Sequence, residues 1–301
     1  MVTRCYDYKN HKLDSELKSK AVPGKELEAE LGYSSDTLGI FKGYIAAVDV
    51  EFDAVDGISM TITAMDVRRL MMTGGAHYLL HNVKNYSEAF EAVMKPYKKL
   101  CSVVTDATND ELEVPLSQTV CDYDFVTQEL IGTGKADREF FVAGDKAYFR
   151  KPRSAESPVI CLGIQKGLYH FERSCGYINY KVEVIGYDPA GQKTISGTAT
   201  AKSFDTQAAA LAEPGKRIWT APDAVTEAQA KARADALAAR LAAKGQTGRI
   251  ECVGLPQIVP GRYVEISGMD NILDKNYYVT EVEHKIGEDG FVTSFEVGGW
   301  K

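Results

Sequence analysis

A chain of 301 residues exceeds one average domain, and 45% apolar with 26% charged residues is the balance of a packed globular protein, not a disordered one. Its formal charge of -7 comes from acidic and basic residues interleaved along the chain, which excludes the basic stripe that specific nucleic-acid binding requires. No run approaches the roughly 18 apolar residues that span a bilayer, and the N-terminus has no apolar signal-peptide core, so membrane insertion and secretion are not expected.

The first strong pattern is 44–52, where Tyr44, Ala46, Val48, Val50 and Phe52 share one face of an extended segment and Asp49 and Glu51 the other. Asp53-Ala-Val-Asp56-Gly57 supplies turn chemistry and 58–64 alternates again, which predicts a β-hairpin. Asp66 is placed to cap a short helix over 67–72, ended by Gly74-Gly75. Residues 76–153 read as mixed α/β. Ser87 is the expected cap of a helix bearing Phe90, Val93, Met94 and Tyr97, limited by Pro96. Asp122 is the expected cap of a second helix, through Phe125, Val126 and Leu130, and 140–149 is a hairpin turning at Gly144-Asp145.

A third β segment begins near Val159. Its clearest strand is 177–185, where Ile178, Tyr180, Val182 and Val184 alternate with Asn179, Lys181 and Glu183 before the turn Asp188-Pro-Ala-Gly191. The stretch 203–222, punctuated by Ala and Pro, is expected to be irregular. Thr226-Glu-Ala-Gln229 matches a capping box and Gly245 a C′ position. Between them lies an Ala-rich helix with Ala230, Ala234, Leu237, Ala238 and Leu241 on one stripe and Lys231, Asp235 and Lys244 opposite. Side chains that small let a helix lie close against a sheet or a neighbouring subunit.

The end of the chain repeats the plan of its beginning. Pro23-Gly-Lys-Glu-Leu-Glu28 is echoed by Pro260-Gly-Arg-Tyr-Val-Glu265, and Ile45-Ala-Ala-Val-Asp49 by Val279-Thr-Glu-Val-Glu283. Each copy then turns at Asp-Gly, Asp56-Gly57 and Asp289-Gly290, and returns as an alternating strand. Pro-Gly and Asp-Gly are common punctuation, but ordered matches at similar spacing favour duplication over coincidence.

Gly39-Ile-Phe-Lys-Gly-Tyr-Ile45, with the hairpin ending in Ala64-Met-Asp66, resembles the first tube domain of the phage late control protein D family of baseplate hubs, related to the N-terminal part of VgrG spike proteins. Gly186-Tyr-Asp-Pro189, the Ala-rich helix and Gly254-Leu-Pro-Gln-Ile-Val-Pro-Gly261 resemble later segments of that family, as do Tyr277-Tyr-Val279, Val282-Glu-His284 and Gly290-Phe-Val-Thr293. The resemblance implies a β-dominated α+β fold: two similar β-barrel-like tube domains with a peripheral α/β region. It divides the chain into a first tube domain at 1–68, an outer domain at 69–153, and a second tube domain at 154–188 and 249–301. Residues 189–248 are then an insertion whose Ala-rich helix packs on the outer domain.

Such hubs are non-enzymatic homotrimers whose six like units match a six-fold tail tube to a three-fold spike. The resemblance therefore implies a tail tube protein and a separate spike as partners, with baseplate wedge or tape-measure proteins as further ones. Its setting would be the tail of a phage, R-type bacteriocin or related injection system, assembled in the bacterial cytoplasm. Family members carry further strands before the segment matching Cys5-Tyr-Asp-Tyr8, so the first barrel is expected to be short, and a neighbour to complete it by strand addition. The chain ends at Trp300-Lys301 with no fused spike, which is why the spike is expected to be separate.

Chemistry of other kinds finds little support, and no cofactor is expected. The six cysteines (Cys5, Cys101, Cys121, Cys161, Cys175, Cys252) lack Cys-x-x-Cys spacing and read as reduced thiols. His77-Tyr-Leu-Leu-His81 spaces two imidazoles one helical turn apart but lacks the Glu and third ligand of a zinc site. Gly132-Thr-Gly-Lys135 has Glu129 where a P-loop needs its first glycine, and Ala136 where it needs Ser or Thr. Asp122/Asp124 and Glu281/Glu283 are spaced like cap and strand positions. A tail-associated peptidoglycan hydrolase using carboxylates from distant segments is the alternative function. The residues singled out are therefore the turn positions Pro23, Gly24, Asp56, Gly57, Pro260, Gly261, Asp289 and Gly290.

Overall fold

The structure is a computed structural model that describes residues 5–74, 78–112, 114–154, 157–203, 213–288 and 290–300. A short ladder of β1 (Tyr6–Asp7) and β2 (Lys12–Leu13) leads to α1 (Ser15–Lys20), capped by Asp14. The expected hairpin is the second half of an antiparallel meander, β3 (Glu26–Tyr33), β4 (Asp36–Asp53) and β5 (Gly57–Met65), in that spatial order. Asp66 caps α2 (Val67–Thr73), its carboxylate accepting from the Arg68 N–H at 2.9 Å.

The α/β region follows with β6 (Leu79–His81), α3 (Tyr86–Met94), β7 (Ser102–Thr105) and β8 (Leu116–Gln118). Then come α4 (Asp122–Asp124, running on as the π-helical Phe125–Gly132), β9 (Glu139–Ala143) and β10 (Lys146–Arg150). β10 lies between β7, to which it is parallel, and β9, with which it forms the expected hairpin at Gly144-Asp145. Phe90, Met94, Phe125, Leu130 and Phe149 are buried between these helices and the sheet, with Phe90 stacked on Phe149 at 4.6 Å.

Both helix caps expected here fall on other residues. Asn85 caps α3, accepting from the Glu88 N–H at 2.9 Å, because Ser87 lies inside the first turn and its hydroxyl accepts from the Thr108 N–H. Cys121 precedes α4 and gives it no side-chain cap. The Asp122 carboxylate is instead taken up by the Tyr97 hydroxyl and the Gln118 amide, each at 2.6 Å.

The remainder comprises β11 (Pro158–Leu162), β12 (Leu168–Cys175), β13 (Asn179–Asp188), β14 (Lys193–Lys202), β15 (Gly215–Thr220) and α5 (Glu227–Ala243). The chain closes with β16 (Gln246–Val253), β17 (Tyr263–Ile266), β18 (Lys275–Gly287) and β19 (Gly290–Trp300). A six-stranded sheet in the order β11-β17-β18-β19-β16-β12 forms a half-barrel with its own core of Leu162, Ile250, Ile266, Tyr277 and Phe295. β13, grouped on sequence with this part of the chain, pairs instead with β14 and β15 in a separate sheet.

β15 also corrects the expectation of irregular chain over 203–222. Most of its side chains face solvent, so no alternation announces it, and it is held by parallel pairing to β13. Residues 204–212 of that stretch lie outside the described residues. α5 has the expected cap at Thr226 and the expected buried stripe, Ala230, Ala234, Leu237 and Ala238, laid on β13 and β14. The approach is close enough that a Cβ at Gly197 of β14 would stand 2.1 Å from the Lys231 nitrogen. Only a bare Cα fits there.

Candidate functional site: the junction of two repeated sheets

Both Pro-Gly turns lead into a strand that joins a three-stranded meander, β3-β4-β5 in one case and β17-β18-β19 in the other. In the first, Gly24 donates to the Ile45 carbonyl and the Ile45 N–H donates to Lys25, both at 2.8 Å. In the second, Gly261 donates to Val279 at 2.9 Å and Val279 to Arg262 at 2.8 Å. Both glycines hold positive φ, +87° and +80°, which a side chain would strain. The long hairpins also carry a β-bulge at the matching place, between Ile45 and Ala47 and between Val279 and Glu281. Gly57 and Gly290, again at positive φ, open the two return strands. Asp56 is exposed in the first tip, where its N–H donates to Asp53; Asp289 lies outside the described residues.

The copies differ in what surrounds them. Pro23 and Gly24 are exposed, and nothing lies within 4 Å of a Cβ built on Gly24. Gly261 is buried beneath Phe141 and Arg150. Likewise, the first meander buries only Ile45 and Met60 among its large apolar side chains, whereas the six-stranded sheet has a full core.

The hairpin β9–β10 ties the two meanders together. Its tip, Gly144, forms an isolated bridge with Phe41 of β4. At its base, Arg150 donates to Glu139 at 2.9 Å and to the Gly261 carbonyl, with its guanidinium over the Phe141 ring at 5.0 Å. The Tyr278 hydroxyl of β18 donates to the same Glu139 oxygen at 2.5 Å. Burial opposes the charge on Arg150, but the bonds with Tyr278 and Glu139 outweigh it and raise its pKa. Burial and the Glu139 charge push the Tyr278 phenol up, so it remains a donor.

A cleft of about 540 Å³ runs along this junction, lined by Phe41, Arg68, Phe141, Pro260 and His284. Arg68 is held at 2.7 Å by Asp66, the cap of α2. His284 pairs with Thr293 at 2.9 Å and meets the edge of Phe291, whose other neighbour is Tyr33 of β3 at 5.7 Å. Burial lowers the His284 pKa, against a smaller opposite pull from the Ile258 main chain. Fixed ion pairs and stacked rings make this a joint that sets one sheet against the other.

A second cluster missing from the sequence-based expectations anchors α5 to the α/β region. Buried Arg233 grips Asp223 at 2.8 and 3.1 Å and reaches the Tyr86 hydroxyl at 3.4 Å, while Lys135 approaches Asp223 at 3.2 Å. Burial pushes the Asp223 carboxyl up, but these cations outweigh it and leave its pKa at about 2. Lys135, the last residue of the P-loop-like string, is thus an ion-pair partner following a helix.

His81 bonds to Gln118 at 2.6 Å and stacks on Phe125; His77 lies outside the described residues. Among the described residues, no group of three or more His, Cys, Asp or Glu is placed to hold a metal, and no helix is long and apolar enough to cross a membrane. Asp124 accepts from Gln128, and Glu281 and Glu283 stand exposed on β18. The six cysteines are all free thiols, and burial pushes Cys101 up to about 11 and Cys252 to about 12.

A family model described as the Alg8 N-terminal domain matches residues 4–288. No curated protein matches the sequence. Among solved structures, the chain is similar to the tail protein from Neisseria meningitidis MC58, with a TM-score of 0.67 and 12% identity over 88% of this chain and 82% of that one. The 43 kDa tail protein of prophage MuSo2 from Shewanella oneidensis gives 0.63 and 14%, over 90% and 88%. The E. coli c3393 protein, described as a component of the type VI secretion system with similarity to the T4 tail proteins gp27 and gp5, gives 0.60 and 10%, over 91% and 64%. At such identities the likeness is one of fold.

Proposed function

The chain belongs to the Alg8 N-terminal domain family; from its fold and its doubled meander, and not from that membership, we propose that it is the structural hub of a contractile tail, of a phage, an R-type bacteriocin or a related injection system. In this role three copies assemble around one axis, bind the tail tube on one side and a separate spike on the other, and perform no catalysis. The observation that carries the proposal is the doubled meander, alike down to its Pro-Gly hydrogen bonds and its bulge. A trimer offers six like surfaces to a six-fold tube only if each protomer repeats itself.

We assign the first tube unit to the β3-β4-β5 meander and the second to the six-stranded sheet, with the α/β region outside. β13, β14, β15 and α5 are an insertion between β12 and β16. The scarcity of buried apolar side chains in the first meander supports assembly, because its apolar face gains cover from a neighbour. Solved proteins of this fold described as tail proteins support a place in the particle's tail.

Native mass spectrometry of the chain, alone and with the spike protein from the same particle, tests the proposal. A three-copy species is expected, formed alone or on the spike. A stable monomer that ignores both spike and tube proteins overturns it.

A further inference from the structure

The segment that follows β10 runs past the last turn of α5 to the six-stranded sheet, and two adjoining clefts open along it. The smaller, of about 200 Å³, is lined by Lys151, Arg153, Arg240 and Asp137. The larger, of about 620 Å³, is lined by Lys244, Thr247 and Gly298, with Glu172, Arg249 and Glu296 beyond them. Pro152, Arg153 and Ala243 line both, so the two form one trough where three parts of the fold meet.

The two ends of the trough differ in charge. Lys151, Arg153, Arg240 and Lys244 gather at one end against a single lining carboxylate, Asp137. None of these four cations takes part in an ion pair among the described residues. The Asp106 carboxylate accepts the Lys151 main-chain N–H at 2.9 Å and leaves the ammonium free. Arg153 is held in the left-handed backbone region, at φ +57°, and gives one N–H to the Gly298 carbonyl at 2.6 Å. Its other donors meet no acceptor among the described residues. Half-buried Arg240 is fixed by the carbonyls of Ile131 and Ala136. Burial lowers its pKa against a weaker opposite pull from Asp137, a cost that an arriving anion relieves. At the far end Glu172 and Glu296 flank Arg249 across β12, β16 and β19, leaving an excess of negative charge. Glu139, also on the wall, is already taken by Arg150 and Tyr278.

A polyanion suits the first end and is repelled at the second, whereas a chain with a terminal carboxylate and a nearby basic side chain suits both. We propose that the trough binds the free C-terminal end of a partner polypeptide, its carboxylate held by Arg153 and Lys151 and a basic side chain a few residues earlier held by Glu172 and Glu296. Arginine is the side chain that grips a carboxylate through paired N–H groups. Between the two ends, Gly298 has no side chain to keep the bound main chain away from the sheet, and Thr247 offers a hydroxyl. This site stands independently of the hub function.

Isothermal titration of the full chain tests it, with an acetylated pentapeptide that has lysine three residues before a free terminal carboxylate. The same peptide amidated at its end is the control. The free acid is expected to bind one to one, and the amide about ten-fold or more weakly. Lys151→Gln and Arg153→Gln should each bring the free acid close to the amide's affinity while leaving the amide unchanged. Lys151 is exposed, so its variant reads the site even if Arg153→Gln disturbs the fold. Glu172→Gln with Glu296→Gln should erase the advantage of the lysine peptide over one with norleucine in its place. Equal binding of acid and amide, or a Lys151→Gln chain that binds the free acid as the wild type does, overturns the proposal. Inorganic phosphate that displaces the peptide mole for mole also overturns it, because the trough is then a site for a small anion. Each of these results leaves the hub function untouched.

Discussion

Arg150 concentrates more of the junction's polar bonds than any neighbour in the cluster: it spans Glu139, Gly261 and Tyr278 while resting on two aromatic rings. Its side chain and that of Glu139 are largely out of solvent, at 13% and 19% exposure, so removing one partner strands the other. Arg150→Met is expected to cost about 3–5 kcal/mol of unfolding free energy, read from urea titrations, with Glu139→Gln in the same chain restoring part of it. Asp223 supplies a pH signature. Its folded pKa, about 2, lies below the ordinary 3.8, so its contribution is full above 3.8 and is lost as pH falls toward about 2. Acid-unfolding curves should therefore show Asp223→Asn losing less stability than the wild type across that window. His284 acts at higher pH. With its folded pKa below 6.5, its contribution is full above 6.5 and lost as pH falls below it. Urea midpoints at about pH 7 and pH 5 should diverge more in the wild type than in His284→Gln. Of these residues, only the Glu139–Arg150 pair was implicit in the sequence: a hairpin turning at Gly144-Asp145 sets those two opposite each other. Gly261 and Tyr278 lie far along the chain, and no local pattern brings them to that arginine.

Elements whose pattern closes on itself were legible. The hairpins 44–64 and 140–149, the capped Ala-rich helix and the short helix after Asp66 all formed where alternation and turn chemistry placed them. The caps of α3 and α4 and the strand β15 escaped because tertiary partners decided them. Thr108 engages Ser87, Tyr97 and Gln118 engage Asp122, and β13 recruits β15 in parallel. The tight helix-to-sheet approach at Gly197 was equally hidden, since Gly197 reads on sequence as one more strand glycine. Gly197→Ala should lower unfolding free energy by about 1–3 kcal/mol, because the new methyl meets main chain of α5 that cannot step aside. Gly39→Ala on β4, where nothing lies within 4 Å, is the control expected to stay within about 0.5 kcal/mol.

On the scale of the whole molecule, the two copies share a backbone plan while drawing their stability from different sources. The six-stranded sheet has its own core, and the first meander leans on the β9–β10 hairpin and on contacts such as Tyr33 with Phe291. Hydrogen exchange on the isolated chain should therefore be faster across β3–β5 than across β16–β19. The duplication itself was visible in the sequence as punctuation, but the inequality of the copies was not, because it resides in their neighbours. That inequality has a practical side. The Pro23-Gly24 corner sits in open space while its counterpart at Gly261 lies under Phe141 and Arg150, so a peptide tag or fluorophore loop spliced beside Gly24 leaves the protein intact, whereas the same graft at Gly261 pries the joint open.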